Sequence, residues 1–524
     1  MIIDVNTLED NFTLNSDLCI VGSGAAGLTI ATEFLASDWK VILLEGGAPE
    51  FDEESQSLYE CIIEGMNFCG AYDGRYRMLG GSTTMWAGQC FEFADIDFEA
   101  RDYIPDSGWP FDANELRAYY QRANRFFRLD ELNYDTDLFD LFKSEPLPFS
   151  PGSLNHQFTK WVPQPDIRKA YRGALKAAPN LAVYTRANVV DIEMNDGLER
   201  AERVAVKSLQ GKQGKVQSKI VVLCCGGIEN ARILLYCNRQ LPDGLGNRSG
   251  LVGRYFGDHP AAKVGVIKPR NKAALLPFAT QVKNGVKYHP RFVLDERVQR
   301  AERLPNAYGI SQLVSAAFFD DLKDLWVAAK SRRITMNTVL KMIALAARPE
   351  VYEIAYQYLV HGRVLLPSAS GVDYIVQVEQ EPNFDSRVAL SRQTDRLGKP
   401  KAIIDWKLSD RTGETLAIFA NILKKEIEAI GLGEVVLSDW LADWQAQWRD
   451  RVSDKYHHIG TTRMATTAAV GVVDPQCRIH DIKNMYVAGS SVFPTGGHSS
   501  PTLTIVALSM RLADHLKKNW DMAA

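Results

Sequence analysis

At 524 residues the chain is too long for one small hydrophobic core, and two domains are expected. Apolar content of 46% and charged content of 24% exclude a disordered or fibrous chain. A net charge of −4 gives no electrostatic footprint for nucleic acid. Eight scattered cysteines without a CxxC pair indicate neither a zinc site nor a disulfide framework, and no metal is expected.

The N-terminus, MIIDVNTLEDNF, has no basic region, apolar core or twin arginine. No apolar run approaches the ~18 residues that cross a bilayer, so a soluble, cytoplasmic protein is expected. Residues 17–46 read as a strand–turn–helix–strand unit. Asp17–Val21 is a short apolar strand, Ala25–Leu35 a helix, and Val41–Leu44 a second buried strand ending at Glu45. The turn, Gly22-Ser23-Gly24-Ala25-Ala26-Gly27, is a GxGxxG. Its first glycine permits the tight turn, Gly24 lets backbone approach a pyrophosphate, and Gly27 lets helix pack on strand. The helix N-terminus offers unpaired N–H groups to the phosphates. Glu45 is placed to accept hydrogen bonds from a ribose diol and disfavours a 2′-phosphate, which argues against NADP. Taken alone, this unit does not separate FAD from NAD.

Next comes Arg75-Tyr76-Arg77-Met78-Leu79-Gly80-Gly81-Ser82-Thr83-Thr84-Met85-Trp86-Ala87-Gly88. Its Gly-Gly pair followed by small hydroxyl residues gives a backbone able to lie against a flat ring. Phe111–Glu115 has a capping-box pattern ahead of LRAYYQRANRFF, so a helix starts there. A second strand–turn–helix occurs at Lys219–Leu235. Asp258-His259-Pro260 follows GRYFG and reads as a structural loop histidine. Strand-like runs occupy 284–316, Tyr374–Gln380 and Arg387–Ser391. Between them, 320–365 reads as helical: Leu322, Leu325, Trp326 and Ala329 share one face, as do Met336, Val339, Leu340 and Ile343. Arg332, Arg333, Lys341 and Arg348 make that segment basic, and helices capping the second domain are expected.

The stretch from Tyr456 to Leu516 carries the most chemistry. Ahead of its closing helix it holds His457, His458, His480 and His498, with Gly, Ser, Thr and Pro around them. If the segment at 457–458 is extended, the two histidines point to opposite sides and only one can face a bound cofactor. Asn484–Ala488 is a third apolar strand leading through Gly489-Ser490-Ser491 to a closing helix at about 502–516. Three strand–glycine–helix joints imply one nucleotide-binding domain assembled from 1–95, 180–265 and 450–524. A substrate domain with a mixed or antiparallel sheet then occupies 96–179 and 266–449. The fold class is α/β, α+β overall.

The glycine fingerprint with LLEGG, RMLGGSTTMWAG, SGWPF, CCGGIENARILL, HHIGTTRM and VAGSSVFPTGGHSSPTLTIVAL occur in one order. That set resembles the glucose–methanol–choline (GMC) family of FAD-dependent alcohol oxidoreductases, and within it the bacterial branch near pyranose oxidase, fructose dehydrogenase and glycoside-oxidising enzymes. The resemblance implies FAD, a Rossmann-like FAD domain and a small-molecule alcohol substrate. A sugar or glycoside secondary hydroxyl is expected first, with a cyclitol, aminoglycoside or steroid as the alternative. The substrate proton would go to a base and its hydride to flavin N5. The acceptor of the flavin electrons would be oxygen, a quinone or a protein carrier. A flavin-binding protein that has lost catalysis is the non-enzyme alternative.

The family's base, the histidine of an H-x-G segment, matches His458. The second active-site position, His or Asn in the family, is Ser500 here, with His498 as a candidate to make up the difference. Gly22, Gly24, Ala26, Gly27, Glu45, Arg77, Gly81, Ser82, Trp86 and Ala87 match cofactor-binding positions. Gly489 and Ser490 match a late pyrophosphate turn, Pro501 and Thr502 contacts near the flavin pyrimidine edge, and Val189 the position whose backbone meets the adenine. Pyranose oxidase holds FAD covalently through a histidine whose aligned residue here is Met85, so the FAD is expected to be non-covalent.

Overall fold

The structure is a computed structural model and describes residues 1–314, 325 and 335–519. Its organising element is an eight-stranded sheet. Ile2–Asp4, Leu181–Thr185, Val41–Leu44, Phe12–Val21 and Gln213–Leu223 run parallel in that spatial order, and Met485–Val487 pairs in parallel with the last. Ala201–Lys207 and Asn188–Met194 extend it antiparallel. The inner strands are apolar at consecutive positions because both faces are covered: Leu18, Cys19, Ile20 and Val21 are all buried. The register sets Leu18 beside both Val41 and Ile220, which brings the strand ends at Val21, Leu44 and Leu223 level. Helices Ala25–Glu33 and Gly226–Tyr236 start just beyond the strands that precede them, and Thr502–Lys518 follows Met485–Val487 after a loop. A crevice at the carboxyl ends of parallel strands is where such sheets take ligands.

The second layer is a nine-stranded sheet. Its main path runs Arg363–Val364, Thr280–Lys283, Val286–Leu294, Ala307–Val314, Gly371–Val378, Ala261–Pro269 and Gly433–Leu437, every pairing antiparallel. Leu154–Trp161 pairs with Val286–Leu294 and carries the short strand Gln89–Cys90. Helix Arg411–Ala429 packs on it. The strand read near Arg387 does not join this sheet. Arg387–Thr394 forms a three-stranded sheet with Pro400–Trp406 and Cys61–Gly65, and so ties late sequence to early sequence.

Within the segment read as helical, Met336–Ala346 and Pro349–His361 are helices. The face carrying Leu322, Trp326 and Ala329 lies outside the described residues. Among the described residues no helix is long and apolar enough to cross a membrane. All eight thiols are free.

Candidate active site

A cavity of about 970 Å³ lies over the carboxyl ends of the parallel strands and reaches the antiparallel sheet. Its near end is the glycine turn. Gly22 has φ +97°, and a Cβ there would sit 2.7 Å from the Cys224 carbonyl oxygen. A Cβ on Gly27 would meet the Gly22 carbonyl at 1.9 Å, so Gly27 packs beneath the cavity and does not line it. Gly24 differs: a Cβ there would meet nothing within 4 Å, and the free space is the cavity itself. No side chain caps the helix that starts at Ala25, so its first N–H groups are left for a ligand.

The other expected cofactor positions gather around the same cavity. Ala26, Glu45, Arg77, Gly81, Ser82, Trp86, Ala87, Val189, Gly489, Ser490, Pro501 and Thr502 all line it. Glu45 is buried and accepts from Ser23 N–H at 3.1 Å, Ser23 Oγ at 2.5 Å and Gly47 N–H at 2.8 Å. These donors pin the carboxylate to the turn. Arg77 donates to Asn188 Oδ1 at 2.9 Å, Trp86 Nε1 to the Pro165 carbonyl at 2.7 Å, and Tyr236 OH to the Val189 carbonyl at 2.7 Å. Ser490 Oγ donates to the His458 carbonyl at 2.6 Å, joining the late glycine turn to the histidine segment. Met85 also lines the cavity, at the position matched to a histidine linkage.

The two adjacent histidines both line the cavity, but their rings sit in different surroundings. The His458 ring is wedged between Phe68 and Phe256, with centroids 5.6 and 6.1 Å away. Its Nε2 is buried against Gly70 without a hydrogen-bond partner, and burial pushes its pKa down to about 3. His458 lines the cavity, with this nitrogen buried. The His457 ring is half-buried and lines the cavity. Its Nδ1 is 3.0 Å from Nδ1 of His259, which leaves Nε2 as the nitrogen available to the cavity. Burial, with His259, His458 and Lys455 nearby, holds the His457 pKa well below the usual histidine range. His457 is therefore neutral at neutral pH.

Ser500 lines the cavity; His498 does not. His498 is buried with Nδ1 3.0 Å from Asp97 Oδ2 and 3.0 Å from Asn306 Nδ2, and its Nε2 lies 3.3 Å from Ser499 Oγ. Asn306 also donates to Asp97, and its backbone N–H donates to Glu379, which is gripped by both guanidinium nitrogens of Arg101. Gln377 donates to the His498 carbonyl at 3.2 Å. This buried network braces the 495–500 loop from behind and so fixes where Ser500 sits. His480 lies outside the cavity as well.

Sequence reading missed the far wall. Tyr308, Ile310 and Gln312 project from one strand, Ile375 and Gln377 from its neighbour, and Gln89 from the short strand. Their spacing of two is the strand alternation that could have found them once the register was known. Behind Tyr308 and Gln89, Arg291 is 2% exposed and forms no salt bridge among the described residues.

Comparison with known proteins agrees with this geometry. A family model described as GMC oxidoreductase matches residues 382–509, and one described as FAD dependent oxidoreductase matches residues 17–242. Paromamine 6′-oxidase of Streptomyces fradiae is 22% identical over 95% of this chain and 90% of its own length. The fructose dehydrogenase large subunit of Gluconobacter japonicus is 22% identical over 96% of this chain and 98% of its own. Among solved structures, pyridoxine 4-oxidase from Mesorbium loti superposes with a TM-score of 0.60 at 15% identity, covering 96% of this chain and 99% of that one. The chain is an FAD-dependent enzyme acting on alcohols, and its C-terminal part matches the GMC oxidoreductases. The residues present fit that cofactor: the open space at Gly24, the uncapped helix and the anchored Glu45 provide for a pyrophosphate and a ribose.

Proposed function

We propose that this enzyme oxidises a secondary hydroxyl of a neutral sugar or glycoside, with His457 as the base. The observation that carries the reading is the pair of ring environments at 457 and 458: both residues line the cavity, but His458 Nε2 is buried without a partner beside Phe68 and Phe256, whereas His457 has its Nδ1 on His259 and its Nε2 left over. Gly22, Gly24, Ala26, Glu45, Gly489 and Ser490 would hold the dinucleotide, with Arg77 and Val189 beside it. Gly81, Ser82, Trp86, Ala87, Pro501 and Thr502 would hold the ring system. Without a histidine at Met85 the attachment is non-covalent.

When bound, FAD supplies the two-electron acceptor for the hydride that leaves the carbinol carbon. His457 Nε2 takes the hydroxyl proton, which a neutral imidazole does at neutral pH. Ser500 holds the same oxygen as donor or acceptor. Its hydroxyl reaches less far than Asn or His, so the substrate must sit close to the 495–500 loop. His498 contributes by holding that loop, with no contact to substrate. Tyr308, Gln89, Gln312 and Gln377 offer neutral hydrogen-bonding groups, and Ile310 and Ile375 apolar contact, a combination suited to the two faces of a carbohydrate ring.

The aminoglycoside reading drawn from paromamine 6′-oxidase is less well supported. Of the carboxylates lining the cavity, Glu45 is pinned to the glycine turn, Glu229 and Asp395 are paired with arginines, and Asp73 is solvent-exposed. The nearest charged side chain to His457 along the chain is Lys455, which also lines the cavity. A polycation would meet no free carboxylate beside the proposed base. Anaerobic mixing of the purified flavoprotein with neutral sugars, glycosides and aminoglycosides tests this by bleaching of the flavin. Bleaching by neutral polyols is expected; bleaching by aminoglycosides alone overturns the substrate class, and an inert flavin across the panel favours a non-enzyme. The reduced enzyme, mixed with air or a quinone, then reports its acceptor. With every thiol free, the cytoplasm is the proposed compartment.

A further inference from the structure

We propose that His259 is a positioning residue that fixes His457 in the tautomer whose Nε2 carries a lone pair. The inference rests on the reading of His457 as base and goes beyond it, because it follows from proton bookkeeping along a chain of fixed acceptors. His259 Nε2 lies 2.8 Å from the Gly497 carbonyl oxygen and 3.3 Å from that of Gly496. A carbonyl only accepts, so Nε2 must carry the proton. The ring is fully buried, and burial lowers its pKa to about 4, so it holds one proton and no more. Its Nδ1 is therefore an acceptor.

That acceptor faces Nδ1 of His457 at 3.0 Å, with the two rings nearly perpendicular at 80°. His457 must then donate from Nδ1, and being neutral it has no proton left for Nε2. The lone pair is thus presented to the cavity before substrate arrives. When Nε2 takes the hydroxyl proton, the imidazolium formed keeps its Nδ1–H on His259, and no proton has to be rearranged. Backbone holds the pair in register: Asp258 accepts from the N–H groups of His259, Lys455 and His457 at 2.5, 2.9 and 2.7 Å.

The same three side chains, Asp258, His259 and His457, have potential ligand atoms within 4.8 Å of one another, so a metal ion is the competing account. Against it, the Asp258 carboxylate already receives three N–H donors, and His259 Nε2 is turned to carbonyls.

The test uses holoenzyme labelled with 15N-histidine, together with His259→Asn, His259→Leu and His457→Ala. In the wild type, the imidazole spectrum should show His457 protonated at Nδ1 and bare at Nε2, and His259 protonated at Nε2. Asparagine can place an oxygen near the lost Nδ1, so His259→Asn should keep flavin reduction within about threefold of wild type, whereas His259→Leu should slow it about 10- to 100-fold with little change in substrate affinity. Where His259→Leu fails to retain FAD, the wild-type spectrum decides. A protonated His457 Nε2, equal rates in both His259 variants, or a stoichiometric metal whose chelation abolishes activity would each overturn the proposal. If His457→Ala still reduces flavin at the wild-type rate, the base assignment fails and this inference with it. If His457→Ala is inactive while His259→Leu matches wild type, only the role of His259 fails.

Discussion

Replacing Gly24 with alanine should separate cofactor binding from folding. Gly24 has φ −72° and ψ −161°, extended backbone that alanine also adopts, and its new Cβ would meet no protein atom within 4 Å. Stability without cofactor should therefore change little, or rise by about 0.4–1 kcal/mol as the unfolded chain loses freedom. The methyl group would occupy space proposed for the pyrophosphate. An N–H bond to a charged phosphate contributes about 1.5–3 kcal/mol, so losing one weakens FAD about 10- to 100-fold. Gly22→Ala is the control: at φ +97°, with Cys224 O at 2.7 Å, it strains the turn itself and should lower stability by about 1–3 kcal/mol with or without FAD. Titrating deflavinated protein with FAD, followed by thermal unfolding of each form, reads both quantities. Unchanged FAD affinity in Gly24→Ala would refute the placement of the pyrophosphate. So would a loss of apoprotein stability equal to that of Gly22→Ala.

Other outcomes follow from the same structure. Because the His457 pKa is held well below the ordinary 6.5, the base is already free at neutral pH and stays free as pH falls through 6.5. Stopped-flow flavin reduction should stay flat from pH 8 to about pH 6, where an unperturbed imidazole would lose more than half its free-base form. Glu379→Ala leaves the Arg101 guanidinium buried without its bidentate partner, and should destabilise the fold by about 3–5 kcal/mol in chemical unfolding. Glu45→Ala frees Ser23 and Gly47 from their shared acceptor, and should weaken FAD about tenfold in the same titration, while substrate affinity of the FAD-saturated enzyme holds.

The cofactor half was legible in sequence because backbone constraints write it locally. Gly22, Gly24 and Gly27 each stand where a side chain would strike a carbonyl or fill the cavity, and the strands before them are apolar at consecutive positions because both faces are buried. The substrate half depends on long-range pairing. Tyr308, Gln312 and Gln377 form one wall only because Ala307–Val314 and Gly371–Val378 pair in a particular register, and Arg387–Thr394 left that sheet for partners at 61–65 and 400–406. The proposed choice of His457 over His458 rests on long-range contacts in the same way. Alternation separates the two rings, but the surroundings of each ring are set by Phe68, Phe256 and His259, each about 200 or more residues away along the chain. His498 was misleading in a different way. It neighbours Ser500 in sequence, yet Asp97 and Asn306 hold its ring behind the loop.

The assignment of the base is tested most directly by anaerobic stopped-flow reduction of two FAD-replete variants, His457→Ala and His458→Leu, with a substrate that bleaches the wild type. General-base catalysis contributes about 10²- to 10⁴-fold, so His457→Ala should lose that much of its reduction rate constant while retaining its flavin. His458→Leu keeps an apolar side chain between Phe68 and Phe256 and should stay within about tenfold of wild type, below the range a lost base would cost. A full rate in His457→Ala, together with a collapse in His458→Leu, would contradict the account and return the base to His458.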